Sequence, residues 1–264
     1  MQRISAVGAT LRYACRARRI LTAPTVEARR AQPDFYDNLD ACFVHAWAAL
    51  KLAPTPHRGA PFAAFRTPIL ATSDEHGWPQ QRVMVLRGVD CKGFDQPVGT
   101  ESGEQPISVP RLRFHTDRRS PKHKQLLASP RCSVLFYCKA SKLQIRVNGI
   151  VELEELDKSS DVATAAWRGS SASSRRCYYM EAGPSESTSL ERLRTLEDRV
   201  LSADAANENA TSPHFACLMV DVHQLEFLYL AHTGARRALA SYRVEETSDG
   251  SKLHVSASHE WLIP

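Results

Sequence analysis

The 264-residue chain has no apolar run approaching the ~18–20 residues that a helix needs to cross a bilayer, so no transmembrane helix is expected. It also lacks any C-x-x-C pair: its cysteines stand alone at positions 15, 42, 91, 132, 138, 177 and 217. Such spacing offers neither a zinc site nor a disulfide framework, and it fits a reducing compartment. Cys42, Cys132 and Cys217 lie inside apolar runs, where a free thiol acts as a small hydrophobe. No internal repeat or long low-complexity segment is visible, which excludes solenoid and fibrous architectures. Acids are nearly missing from the first 33 residues, where Glu27 is the one carboxylate among seven arginines. Residues 1–32 therefore read as a basic leader, either a disordered tail or an organellar transit peptide. The expected location is cytoplasmic, or mitochondrial or plastidic if the leader is a transit peptide.

What remains is an ordinary core-forming composition, 43% hydrophobic with a net charge of +5, expected to form one domain over residues 33–264. Phe35, Leu39, Cys42, Phe43, Ala46 and Leu50 recur at helical spacing, with Asp34 placed to cap the first turn. Residues 62–72 and 79–89 read as strands around the turn Asp74–Gly77, and 94–110 as a loop with three prolines. Further strands are expected at 112–116, 132–138 and 143–153, helices at 121–129, 156–168 and 188–203, and one or two strands in 215–230. Short strands around turn signals with a few peripheral helices indicate a mainly β, α+β fold built on a β-barrel.

The segment Arg111–Lys124 concentrates six Lys/Arg and two His against one acid, Asp117. Inside it Ser120-Pro121-Lys122 has the signature of a helix start, serine as cap and proline at the first helical position. Lys122 and Lys124 then oppose the helix dipole. Cations placed where backbone amides already point outward suit an anion such as a phosphate; a solvated basic face is the competing explanation. Few aromatics interleave with the cations, so a nucleic-acid surface is not expected. Arg82 and Arg87 bracket the apolar stretch Val83-Met84-Val85-Leu86, and planar guanidinium groups suit phosphate oxygens, although strand-edge arginines are common. Gln144 heads an alternating strand, where its amide could hydrogen-bond a heterocycle or simply face water.

Four blocks in order, DEHGWPQQRVMVLRG, FHTDRRSPK, PRCSVLFY and LQIRVNGIVE, resemble the pyridoxamine 5′-phosphate oxidase family of FMN-binding split β-barrels. The resemblance runs from about residue 65 to 155, with a weaker echo over 215–264, and is closer to the divergent cyanobacterial and plant-type branch. It implies an FMN-dependent oxidoreductase acting as a homodimer on a small, phosphorylated molecule, with a non-catalytic flavin-binding protein as the alternative. It further implies that Arg82 and Lys122, helped by Ser120, bind the FMN phosphate. The backbone from Val83 through Met84 and Val85 to Leu86 would lie along the flavin, with Arg87, His115, Thr116 and Gln144 also at the cofactor. Ser174, Arg175 and Arg236 are the substrate-binding candidates that it offers, and no metal is implied. Pro121 departs from the family's basic residue, and HTGARRALASY lacks its Arg-x-His-x-Arg segment. No catalytic acid or base is evident. Because residues 1–32 lack a pattern that could join the barrel, their deletion should leave the melting temperature and FMN affinity nearly unchanged. A melting curve of the truncated chain beside the full one checks this.

Overall fold

The computed structural model describes residues 32–55, 62–95, 108–202, 211–246 and 253–264; the leader and part of the 94–110 loop lie outside them. Helix α1, Leu39–Leu52, opens on Asn38, whose side-chain oxygen accepts from the Ala41 amide at 3.0 Å. Asn38, not Asp34, is therefore the cap, because only its side chain reaches a free first-turn donor. The segment 62–72 is not a single strand. Ala63–Arg66 form a 3-10 turn and β1 begins only at Ile69 (Ile69–Ser73), after Pro68, which has no amide to give a sheet.

The expected strand 79–89 is likewise divided, into β2 (Pro79–Val83) and β3 (Leu86–Asp90). At the joint the Met84 amide donates to the Pro68 carbonyl at 2.9 Å, in register with the β1–β2 ladder, which stops there because Pro68 has no N–H to return the bond. Then follow β4 (Arg111–Asp117), α2 (Pro121–Ala128), β5 (Arg131–Cys138) and β6 (Leu143–Glu155). Ser159, at φ 58°, separates a 3-10 turn (Leu156–Lys158) from α3 (Asp161–Arg168), so the helix expected over 156–168 is in two pieces. Short α4 (Ala172–Arg175) and α5 (Leu190–Ser202) precede β7 (Phe215–Tyr229), a single long strand. The hairpin of β8 (Arg236–Glu246) and β9 (Leu253–Leu262) was not legible in the sequence. Its inward positions are Ala238, Ala240 and Tyr242, and small residues carry little alternation signal.

All pairings are antiparallel, in the order β2-β1-β5-β6-β7-β4-β3. The order begins and ends in the same stretch of chain, so the two-residue joint at Met84-Val85 closes a barrel. One edge of β7 is shared: residues 215–221 pair with β4, and residues 224–229 pair with β8. Opposite this divergence β6 has an irregularity at Asn148/Gly149, where the backbones crowd. A Cβ on Gly149 would stand 2.3 Å from the Asp221 carbonyl oxygen. The interior is filled by Leu70, Val134, Phe136, Ile145, Val147, Leu218, Val220 and Phe227, with α1 packed over one end through Phe43 and Trp47. Cys42, Cys132 and Cys217 join the buried set, and burial pushes their thiols up to about 12, so they stay protonated fillers. Among the described residues no helix is long and apolar enough to cross a membrane.

Gly149→Ala should destabilise the fold by about 1–3 kcal/mol, because the backbone facing it cannot retreat without opening the β6–β7 ladder. A lowered denaturation midpoint checks this; an unchanged midpoint would show that the crowding is relieved at no cost.

Candidate functional site

The basic segment 111–124 is neutralised unevenly. Arg111 is held by Asp221, at 3.0 Å between Nη2 and Oδ2, and by Glu152 at 3.1 Å. Arg119 grips both oxygens of Asp117 at 3.0 and 2.7 Å and donates to the Met180 carbonyl at 2.8 Å. Arg118 pairs with Asp157 and, at 3.6 Å, with Glu155. These three arginines tie β4 and the approach to α2 to their surroundings and have little charge left for a ligand. Lys124 is exposed. Lys122 differs from all of them: it is half-buried, has no ion-pair partner among the described residues, and faces another cation. Burial, and next the charge of Arg82, hold its pKa below the ordinary lysine value.

Arg82, the penultimate residue of β2, shares the inward face of Thr72 and Leu70, in keeping with the register Leu70↔Arg82 and Thr72↔Gln80. Its guanidinium donates to the Thr72 hydroxyl, to the Gln80 carbonyl at 2.9 Å and to Gln125 Oε1 at 3.1 Å, while the Thr72 hydroxyl donates to Gln125 Oε1 at 2.6 Å. Neutral acceptors orient the group without cancelling its charge. Arg82 and Lys122 therefore form a two-cation centre beside the start of α2, where Pro121 has no amide and the His123 and Lys124 amides donate to the Ser120 carbonyl at 3.0 and 3.5 Å. Like charges brought together in a half-buried place are stable when an anion sits between them. Ser120 does begin the helix, but its hydroxyl makes no cap bond. It lies 3.3 Å from the Thr116 hydroxyl, and both residues are buried, at 0% and 2% exposure. The cap expected of that side chain is thus absent, because the nearer hydroxyl on β4 takes its place.

Arg87 sits at the register irregularity between Leu86 and Gly88, which re-aims it out of strand alternation. Its carbonyl accepts from Arg113 at 3.3 Å. Three buried nitrogens there have no partner: Arg87 Nε, Arg113 Nε and His115 Nε2. Burial, then the charges of Arg87 and Arg113, drive the His115 pKa down to about 3, so the ring is neutral at physiological pH. Tyr178, buried at 8%, lies edge-on to Phe215 beside this group. Met84 and Leu86 point into the core, whereas Val83 is 64% exposed and Val85 is intermediate.

Val83 belongs to an open apolar strip on the outer face with Ile69 and Tyr137, and Gln144 stands directly across from Tyr137. The substrate candidates are dispersed. Arg175 is buried against Trp167 and donates to the Trp167 and Arg168 carbonyls at 3.1 and 2.9 Å, closing the C-terminus of α3. Ser174 is engaged with Ser171. Arg236 pairs with Asp37 at 2.7 Å and lies 3.8 Å over the Tyr36 ring. The structure thus brings Arg82, Lys122, Ser120 and Thr116 together, puts Arg87 and His115 in a neighbouring group, and leaves Ser174, Arg175 and Arg236 with partners of their own.

The pyridoxamine 5′-phosphate oxidase, FMN-binding domain family matches residues 46–155, which contain both cationic groups. FMN is the cofactor of this domain, and the paired cations and orphaned donors fit a phosphorylated ligand. Curated relatives named pyridoxine/pyridoxamine 5′-phosphate oxidase agree. That of Bordetella avium is 32% identical over 90 residues, 34% of either chain. That of Burkholderia ambifaria is 32% identical over 127 residues, 48% of this chain and 46% of its own. The chain thus matches a third to about half of the length of these relatives. Two solved structures share the fold. A pyridoxamine 5′-phosphate oxidase-related FMN-binding protein of Nostoc punctiforme has a TM-score of 0.54 at 21% identity, covering 85% of this chain and 95% of its own. PhzG of Burkholderia lata has a TM-score of 0.57 at 19% identity, covering 88% and 98%.

Thr72, Gln125, Arg113 and Tyr178 escaped the reading of the sequence. Gln125 follows Lys122 at i+3 on one helix, a spacing that marks it as a neighbour; the others are joined to the site only by strand register. His115 makes the site's electrostatics measurable. Its unfolded value is near 6.5 and its folded value about 3, so between these pH values the unfolded chain binds a proton that the folded chain refuses. Stability should fall as pH drops through that window. His115→Phe should flatten the melting-temperature profile below pH ~6.5 relative to wild type; parallel profiles would mean that the ring is not shielded.

Proposed function

We propose that the protein is an FMN-dependent oxidoreductase of the pyridoxamine 5′-phosphate oxidase-like type, working as a homodimer on a small molecule. The observation that carries the proposal is the Arg82–Lys122 pair at the start of α2, two half-buried cations that make no ion pair with a carboxylate among the described residues, Asp117 acting on Lys122 only through its field. In this reading Arg82 and Lys122 take the 5′-phosphate of FMN, charge-assisted and oriented by Thr72 and Gln125. Ser120 and Thr116 support the turn from beneath. The backbone from Val83 to Leu86 borders the flavin ring, and Gln144 offers its amide to the ring edge. His115, neutral, meets the ligand as a hydrogen-bonding group while Arg87 supplies positive charge. When bound, the flavin supplies hydride acceptance and return of the electrons to an acceptor. The open strip of Ile69, Val83 and Tyr137 supports a second copy of the chain as the cover of the outer face.

A second reading, a non-catalytic flavin-binding protein, draws on a specific feature. Arg236 is committed to Asp37 and Tyr36, and Arg237 to Glu226, so the segment that would grip substrate is occupied within the chain. Turnover of pyridoxamine phosphate under oxygen by the FMN-loaded protein separates the two readings.

The phosphate assignment predicts that FMN binds at least about tenfold more tightly than riboflavin, a difference of ~1.4 kcal/mol or more. Titration by flavin fluorescence quenching checks this, and equal affinities would sink the assignment. Lys122→Ala should abolish most of the preference, whereas Lys124→Ala, on the exposed side of α2, should retain it. A small, equal effect from both would instead mark a solvated basic face.

A further inference from the structure

Helix α2 carries Lys122 but has little in its own sequence to hold its first turn in place. It is eight residues long, has no acid in its first turn, and lacks a side-chain cap because the Ser120 hydroxyl faces Thr116. Isolated helices of that length are not stable, and two lysines near its N-terminus oppose its dipole. The residues it buries are His123 and Leu126. Leu126 lies one turn on, in the core, so His123 is the first-turn anchor.

His123 Nε2 stands 3.0 Å from Glu155 Oε1, and the two side chains are 4% and 2% exposed. Glu155 is the last residue of β6, opposite Ala216 on β7. Its other oxygen faces Lys158 at 3.0 Å and Arg118 at 3.6 Å. Burial favours the neutral acid, but Lys158, Arg118 and His123 outweigh it and hold the Glu155 pKa below the usual carboxylate value. Burial lowers the pKa of His123 against the pull of Glu155. A neutral ring donating to Glu155 Oε1 gives that oxygen its hydrogen bond, while Oε2 is left to the charges of Lys158 and Arg118. It also sets a negative charge beneath a helix start that is crowded with positive charge.

We infer that the His123–Glu155 pair is a positioning device for the phosphate centre, and this rests on the reading of Arg82 and Lys122 as the FMN phosphate site. Neither residue touches the ligand. The pair ties the first turn of α2 to the end of β6, so that Lys122, the residue before His123, is held toward Arg82 at the outset. Without the tie the like charges of Lys122 and Arg82 drive the turn away from β2, and each binding event must bring it back.

The test uses the full chain and compares FMN with riboflavin, which shares the ring but lacks the phosphate. His123→Leu removes the donor, and His123→Gln returns an amide donor at similar reach. The expected result is that His123→Leu weakens FMN binding about tenfold, leaves riboflavin within about twofold, and that His123→Gln recovers most of the loss. The 31P resonance of bound FMN should broaden in His123→Leu and sharpen again in His123→Gln, a readout that general destabilisation does not move. If His123→Leu does not fold, Glu155→Gln, which keeps the side-chain shape, is read in its place. Equal loss of FMN and riboflavin, or FMN affinity within about twofold of wild type, would overturn the inference, as would failure of both variants to fold. If the wild-type protein itself shows no preference for FMN, the phosphate reading has failed rather than the positioning one.

Discussion

The site depends on residues 79–90 being held at both ends of the strand order at once. β2 pairs with β1 and β3 with β4, so the joint at Met84-Val85 must turn from one edge to the other. Here the two residues between β2 and β3 make that change of partner. The β1–β2 ladder ends at the Met84–Pro68 bond; before it Arg82 points inward by strand alternation, and beyond Leu86 the register irregularity re-aims Arg87. Two arginines close in sequence thereby serve two separate groups. Barrel closure and the placement of charge are the same event.

Charge in this region is sorted by partner, not by amount. Arg111, Arg118 and Arg119 are matched to carboxylates and act as struts. Arg82 is held by neutral oxygens and keeps its full field. Lys122 lies within reach of that field, and the neutral His115 lies in the field of Arg87 and Arg113. A count of basic residues along the chain cannot separate these cases, because Glu152, Asp157 and Asp221 come from β6, the turn after it and β7, and Asp117 alone lies within the segment.

Local pattern made much of this architecture legible. Ser120-Pro121 announced α2, and the alternation over 143–153 announced β6, which runs on to Glu155. Elements failed where a residue's neighbours in space overruled its neighbours in sequence. Asn38 displaced Asp34 as a cap by reaching Ala41, and Ser120 gave up its capping bond for Thr116. The β8–β9 hairpin was hidden because Ala238 and Ala240 fill its inner face in place of larger apolar residues. At the site, Arg82 and Lys122 could be read from short motifs. Thr72, Gln125 and Glu155, which hold them, belong to elements that meet only once the sheet has formed.

The internal pairing of the basic segment bears on how the molecule meets long polyanions. Attraction to a nucleic acid or a heparin-like chain grows with the number of cations free to displace condensed counterions. Arg111, Arg118 and Arg119 already have carboxylates as their counterions. The face should therefore release few small ions on contact with such a chain. It should behave as a far less basic surface than the six Lys/Arg of Arg111–Lys124 suggest, with its remaining attraction focused on the Arg82–Lys122 pair.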